Sequence, residues 1–236
     1  MNLNNDLVPI IRKGDIDKEA AKFLQKYYPQ GLKEPMAIPV EDIAELKMGL
    51  EIDYVNIDRN CDTLGMMIFS DGCVELYDKD TQQNIVRQYK KGTLLVESDL
   101  SEIANRGRER FTVTHEMVHW DKHQLRFMTL SYKDKAMAKA CRCPKQKAYK
   151  PKTADEWIEW QADNIAAAIL MPAEMFRIKA EELRGRYKAG KRINDFLWRG
   201  LSPEIIRELI IDELASVFQV SKQAAGIRLN TLGISI

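Results

Sequence analysis

One short pattern restricts the fold of this chain more than any other feature of its sequence. His115 and His119 flank Glu116 in an H-E-x-x-H pattern, and all three histidines of the chain lie between His115 and His123. Positions four apart lie on the same face of an α-helix, so two imidazoles here can reach one metal ion. Glu116, the next residue round the helix, is placed to act as the base of a zinc-dependent hydrolysis.

Zinc in a hydrolase usually has three protein ligands and one open position, so a third ligand is required. A histidine six residues beyond His119 would occupy the position of Leu125, and His123 lies on the same helix as the first two ligands. A carboxylate from a downstream helix remains, and Glu159 in the sequence E-W-Q-A-D is the best candidate. Asp163, one turn later, can accept a hydrogen bond from the outer nitrogen of a ligand histidine and so orient that ring.

Composition indicates the broad class. The chain has 236 residues, of which 45% are hydrophobic and 30% charged, as in soluble globular proteins. A net charge of +1 provides no global field to recruit DNA or an anionic membrane. No apolar run is long enough to span a bilayer, and the first residues lack the features of a signal peptide. We therefore expect a cytoplasmic protein whose cysteines are free thiols, namely Cys61, Cys73, Cys141 and Cys143.

The first half of the chain predicts a helix followed by a small sheet. Apolar residues recur at helical spacing over 15–28, and short apolar runs between residues 52 and 97 indicate three to five mostly antiparallel strands. Asp71-Gly72 is a strong signal for a two-residue turn, so strands over 64–70 and 73–77 are expected to form a hairpin.

The second half predicts helices. Thr153 and Glu156 have the spacing of a capping box, which marks the start of the helix that carries Glu159. Residues 133–152 contain eight Lys or Arg and one acidic residue. This segment is either a solvated loop or a basic flap that contacts an acidic partner, and its Cys141-Arg142-Cys143 sequence leaves metal or redox chemistry open.

The end of the chain has a helix-turn-helix rhythm. A helix over 203–218 is followed by a turn and a second helix over 222–232. The second helix offers only Lys222, Gln223 and Arg228 for nucleic acid. We favour packing or partner docking for this pair, and DNA reading is the alternative.

Two motifs together resemble the ImmA/IrrE metallopeptidases. They are R-E-R-F-T-V-T-H-E-M-V-H-W-D-K-H and E-W-Q-A-D-N-I-A-A-A-I-L-M-P, and the resemblance extends over about residues 36–233. The chain departs from the family pattern at Ile165, where Phe is frequent, and in its long basic insert. The resemblance implies a cytoplasmic zinc endopeptidase. Its substrate would be a helix-turn-helix repressor of a phage-like or other mobile genetic element, and cleavage would relieve repression.

These observations predict an α+β fold. A small, mostly antiparallel sheet would pack against a zincin-like, metal-binding helix pair, followed by a helical C-terminal region. We expect an N-terminal helical extension over 1–35, a metallopeptidase domain over 36–190 and the C-terminal helices over 191–236. The predicted ligands of Zn²⁺ are His115, His119 and Glu159, with Glu116 as the catalytic base and Asp163 orienting a ligand.

Several alternatives stay open at this point. Manganese or iron would also suit histidine and carboxylate ligands. A regulator or sensor could bind a repressor or DNA through residues 203–233 without cleaving it, and an abortive-infection or toxin–antitoxin role is a weaker alternative. The group that stabilises the oxyanion is not determined by the pattern, and Tyr132 and His123 are candidates only by proximity.

Overall fold

The computed structural model describes residues 3–101, 106–130, 140–144, 151–192 and 202–235. Contacts between Cα atoms divide the chain into two units. The first unit consists of Met1–Ile16 and Pro39–Ala166, and the second of Asp17–Ile38 and Ala167–Ile236. The predicted domain boundaries after residues 35 and 190 stay a prediction.

Two sheets lie in the first unit. The larger sheet has four strands in the order β1 (Glu51–Val55), β5 (Thr93–Glu97), β2 (Thr63–Ile68) and β6 (Ala140–Pro144). In this sheet β1 and β5 are parallel, whereas β2 is antiparallel to both β5 and β6. The smaller sheet is an antiparallel pair of β3 (Gly72–Asp78) and β4 (Gln83–Tyr89).

The helices account for most of the remaining described residues. They are α1 (Ile16–Tyr27), α2 (Val40–Asp42), α3 (Arg106–Lys122), α4 (Gln124–Leu130), α5 (Ala154–Leu170), α6 (Ala173–Arg192), α7 (Pro203–Phe218) and α8 (Lys222–Thr231). The predicted α+β class is confirmed. In the part of the chain that the structure describes, no helix combines the length and apolarity needed to cross a bilayer.

The predicted hairpin across Asp71-Gly72 is wrong. Strands β2 and β3 do not pair with each other, because β2 lies between β5 and β6 while β3 pairs with β4. The Asp71 side chain accepts a hydrogen bond from the backbone N–H of Lys91, 2.8 Å away. This hydrogen bond joins the segment after β2 to the segment between β4 and β5. Asp71 therefore lies in the connection between the two sheets rather than in a hairpin turn.

Strands β2 and β5 bury both of their faces. Met66, Ile68 and Leu95 pack on one face in a cluster with side chains of the β3–β4 hairpin. Successive residues of a strand point to opposite faces of the sheet. Gly65 and Met67 therefore lie on the other face, where α3 packs against β2 and β5. Burial on both faces explains why the sequence of these strands shows continuous apolar runs rather than alternation.

The helix starts follow the sequence signals. The backbone N–H of Glu156 donates to Thr153 Oγ1 at 3.2 Å, and the N–H of Thr153 donates to Glu156 Oε2 at 3.1 Å. This reciprocal pair confirms the capping box at the start of α5. Ser221 likewise caps α8, because its hydroxyl accepts from the N–H of Ala224 at 3.1 Å.

Arg228, one of the three residues considered for nucleic acid, is buried within the second unit. It is only 5% exposed, and its Nε donates to the backbone carbonyl of Met171 at 3.0 Å. Its guanidinium also pairs with the carboxylate of Asp17. Lys222 is exposed and pairs with Asp212. Arg228 therefore connects α8 to α1 and to Met171, the residue after α5. A side chain held in these contacts is not available to contact DNA, which weakens the DNA-reading alternative.

We expect Arg228→Ala to lower the free energy of unfolding by about 2–3 kcal/mol, because the substitution removes a buried charge from its partners. Lys222→Ala is the matched control on the same helix. Its exposed ion pair should contribute less than about 1 kcal/mol. Urea denaturation of both variants measures the difference, and equal stabilities would contradict the assigned packing role.

Candidate metal centre

Helix α3 carries an unusual number of polar side chains into the interior. It lies against β2 and β5, and its buried residues include Thr112, Thr114, His115, Glu116 and His119. Burying polar groups is costly unless they find polar partners or bind a metal. The helix therefore requires a polar counterpart on the element that faces it.

Helix α5 supplies that counterpart. Glu159 Oε2 lies 3.2 Å from His115 Nε2, and Glu159 Oε1 lies 3.3 Å from His119 Nε2. The two Nε2 atoms are 2.8 Å apart. Ligand atoms of these three residues thus converge as a group with the chemistry of a metal site.

The spacing of these atoms fits zinc. With zinc–ligand distances near 2.0–2.1 Å, the edges of a tetrahedron of ligand atoms measure about 3.3 Å. The two histidine nitrogens are 2.8 Å apart, shorter than such an edge. Each lies at about the length of an edge from one oxygen of the Glu159 carboxylate, at 3.2 Å and 3.3 Å. Two imidazole nitrogens and one carboxylate oxygen would occupy three corners and leave the fourth open. The donor set and its geometry therefore suit a zinc ion bound as in hydrolases.

Asp163 lies beside one of the two histidines. Its Oδ1 is 2.9 Å from His115 Nδ1, so the carboxylate can accept the hydrogen carried by that nitrogen. With Nδ1 protonated, the lone pair of neutral His115 is on Nε2, the atom that faces Glu159. The sequence left open which histidine Asp163 would contact, and the structure places it at His115.

The pKa values favour the protonation states that a metal site needs. Burial alone would raise the pKa of Glu159, but the two histidine rings beside its oxygens outweigh burial and lower that pKa well below its ordinary value. Burial lowers the pKa of His119, against the opposing effect of Glu159. Both shifts favour an anionic carboxylate and a neutral imidazole, which are the forms that bind zinc.

Glu116 is fully buried and lies against strand β2. An added Cβ at Gly65 would be 2.8 Å from Glu116 Oε1 and 2.6 Å from Thr112 Cγ2. Real Cβ atoms do not approach other atoms so closely. The absence of a side chain at Gly65 therefore makes room for the Glu116 carboxylate. The sequence analysis did not predict this role.

We expect Gly65→Ala to displace Glu116 and Thr112, because an added Cβ would overlap both side chains. Overpacking should also lower the free energy of unfolding by about 1–3 kcal/mol. Gly185→Ala is the control. Gly185 is exposed in the middle of α6, and a Cβ added there would have no atom within 4 Å. Urea midpoints that are the same in both variants would contradict the close packing of Gly65 on Glu116.

His123 and Gln161 form contacts that the sequence analysis missed. His123 Nδ1 is 2.9 Å from His119 Nδ1, and His123 Nε2 is 3.1 Å from Gln161 Oε1. His123 therefore lies behind His119, on the side away from Glu159, and both of its nitrogens contact protein atoms. The available signal was the four-residue spacing of His123 from His119, whereas no pattern in the sequence pointed to Gln161. Tyr132, the other oxyanion candidate, lies outside the described residues.

Of the basic segment 133–152, residues 140–144 form β6, residues 151 and 152 precede α5, and the rest lies outside the described residues. The sequence did not predict β6. Its backbone places Cys141 opposite Met67 and Cys143 opposite Gly65 in the ladder with β2. Cys61 and Cys73 are free thiols, as predicted.

A second group of potential ligands is formed by Cys61, Glu97 and Asp99. Lys79 Nζ lies 2.6 Å from Asp99 and 3.8 Å from Glu97, so a side-chain cation already balances these carboxylates. Burial and the neighbouring acidic groups raise the pKa of the Cys61 thiol, which disfavours the thiolate that binds metals. The His–His–Glu group is therefore the better metal centre.

Comparison with known families gives an independent result. The model of the Peptidase_M78 family, described as the IrrE N-terminal-like domain, matches residues 77–230. The chain belongs to this family. The ImmA/IrrE assignment made from the two motifs is thus confirmed, and the matched residues include both α3 and α5. No curated protein matches the chain at a significant level.

Membership of the IrrE-like family sets the class of chemistry. The family is one of peptidases, and the described residues include a His–His–Glu group suited to a metal ion. The chain is therefore a member of a metallopeptidase family with a candidate metal-binding group formed by α3 and α5. A peptidase acts on a protein or peptide substrate.

Proposed function

We propose that this IrrE-like protein is a zinc-dependent endopeptidase. The observation that carries the proposal is the convergence of His115 Nε2, His119 Nε2 and the Glu159 carboxylate within 3.3 Å of one another. Both histidines lie on the same helix as Glu116. In this proposal the three converging residues hold the ion. A purely structural zinc site normally has four protein ligands, whereas this group offers three and leaves a position for the reacting groups.

The ion, when bound, supplies Lewis-acid polarisation of the scissile carbonyl and of a water molecule. Glu116 accepts the proton of the attacking water and delivers it to the leaving amine nitrogen, which balances the protons of peptide hydrolysis. Asp163 accepts the hydrogen of His115 Nδ1 and thereby keeps the lone pair of Nε2 directed toward Glu159.

We propose a helix-turn-helix repressor of a phage-like or other mobile element as the substrate, which places the protein in the cytoplasm. This choice is supported by the ImmA/IrrE resemblance of the two motifs. Cleavage would separate the DNA-binding part of the repressor from the rest and relieve repression.

Co-incubation tests this proposal. The purified zinc-loaded protein is mixed with the helix-turn-helix repressor encoded nearest to it, and the products are read by intact mass. A single cut by the zinc-loaded protein, absent after chelation and with a repressor from an unrelated element, is the expected result. A stable complex without a cut would favour a binding regulator, and neither cut nor complex would reject this repressor as the substrate.

A further inference from the structure

The second ligand histidine is supported by a chain of uncharged hydrogen-bonding groups. His119 Nδ1 contacts His123 Nδ1 at 2.9 Å, His123 Nε2 contacts Gln161 Oε1 at 3.1 Å, and Gln161 Nε2 donates to the backbone carbonyl of Pro9 at 2.7 Å. His119 and His123 are fully buried, and Gln161 is 2% exposed. Because water is excluded, each hydrogen along this chain must be placed by the protein itself.

The positions of the hydrogens follow from the Pro9 end. A backbone carbonyl only accepts, so the amide nitrogen of Gln161 must face Pro9, and the opposite orientation would bring two oxygen atoms together. This fixes Gln161 Oε1 as an acceptor facing His123. His123 must therefore carry a hydrogen on Nε2, and in the neutral ring its Nδ1 has the lone pair.

The same reasoning reaches the metal group in one more step. The lone pair of His123 Nδ1 can only accept, so His119 must carry its hydrogen on Nδ1. The lone pair of His119 is then on Nε2, the atom 3.3 Å from Glu159 Oε1. A histidine with the opposite hydrogen placement would direct an N–H at the ion and could not bind it.

We propose that His123 and Gln161 are positioning residues that fix the hydrogen of His119 on Nδ1 and so prepare its Nε2 for zinc. The proposal rests on the proposed metal site. It gives the two ligands different supports, since His115 contacts the carboxylate of Asp163 whereas His119 contacts a neutral imidazole. A neutral chain orients the ring without adding a second negative charge behind the ligands.

NMR of the full-length protein labelled with ¹⁵N-histidine tests the hydrogen placement directly, since the chain has only three histidines to assign. After addition of Zn²⁺, His115 and His119 should show metal-bound Nε2 and protonated Nδ1, and His123 should be neutral with its hydrogen on Nε2. Zinc binding with the hydrogen of His123 on Nδ1 would overturn this proposal alone. Failure of His115 and His119 to bind Zn²⁺ would overturn the proposed metal site as well.

Two variants of His123 separate positioning from packing. His123→Leu fills the buried volume but removes the acceptor for His119, whereas the side-chain oxygen of His123→Asn can take the place of Nδ1. We expect Zn²⁺ affinity, measured by competition with a chromophoric chelator, to fall about 10- to 100-fold in the Leu variant and only a few-fold in the Asn variant. Unfolding of the metal-free proteins is measured in parallel. If His123→Leu binds Zn²⁺ as tightly as His123→Asn or more tightly, the role of His123 is packing and the proposal is wrong.

Discussion

We expect the Glu116→Gln variant to bind zinc with nearly wild-type affinity and to lose peptide cleavage by about 10²- to 10⁴-fold, the usual contribution of a general acid–base group. Gln has almost the size of Glu, so it fits the space that Gly65 leaves beside β2. Its amide cannot accept a proton from water or return one to the leaving amine. The fall should be in kcat, because substrate binding does not require this proton transfer.

A matched control lies on the same helix. Glu109 accepts a hydrogen bond from the hydroxyl of Tyr54 at 2.6 Å, and Glu109→Gln makes the same chemical change while keeping an acceptor there. Cleavage is followed by intact mass with the repressor substrate, and zinc content by competition with a chelator. The Glu109 variant should cleave at the wild-type rate. Cleavage by Glu116→Gln at that rate would reject Glu116 as the base.

The parts of the site that follow from helical periodicity were predictable. The four-residue spacing of His115 and His119 places both rings on one face whatever surrounds the helix. Glu159 was reached by eliminating Leu125 and His123 and by its place in a capped helix with an apolar stripe. The structure brings these three side chains together, because α5 faces α3 across the positions that carry them.

The features that the sequence did not predict depend on partners distant in the chain. Asp71-Gly72 has the composition of a hairpin turn, but β2 gains more by pairing with β5 and β6, so the tertiary arrangement overrides the local signal. The role of Gly65 depends on the approach of α3, and that of Gln161 on the carbonyl of Pro9. Neither long-range contact has a local pattern from which it could be inferred.

We expect Glu159→Gln to weaken zinc binding on the order of 10²- to 10³-fold. Zinc sites with four protein ligands bind with apparent free energies of about 10–16 kcal/mol, or roughly 2.5–4 kcal/mol for each ligand. The substitution removes the anionic ligand that offsets part of the charge of the ion, and it leaves two neutral imidazoles. Asp163→Asn, which changes only the support of His115, should cost less, about 10- to 100-fold.

The control for this series is Asp155→Asn on α5, because that side chain is 80% exposed and its partner is Arg126, outside the metal group. Affinity for Zn²⁺ is measured by chelator competition, and the helicity of the metal-free proteins by circular dichroism. The expected order of affinity is wild type equal to Asp155→Asn, then Asp163→Asn, then Glu159→Gln. Each variant lacks one carboxylate and has the same net charge. Differences in their affinity for Zn²⁺ therefore depend on how close the lost carboxylate lies to the ion, not on net charge. Wild-type affinity in Glu159→Gln would mean that the third ligand comes from elsewhere in the chain.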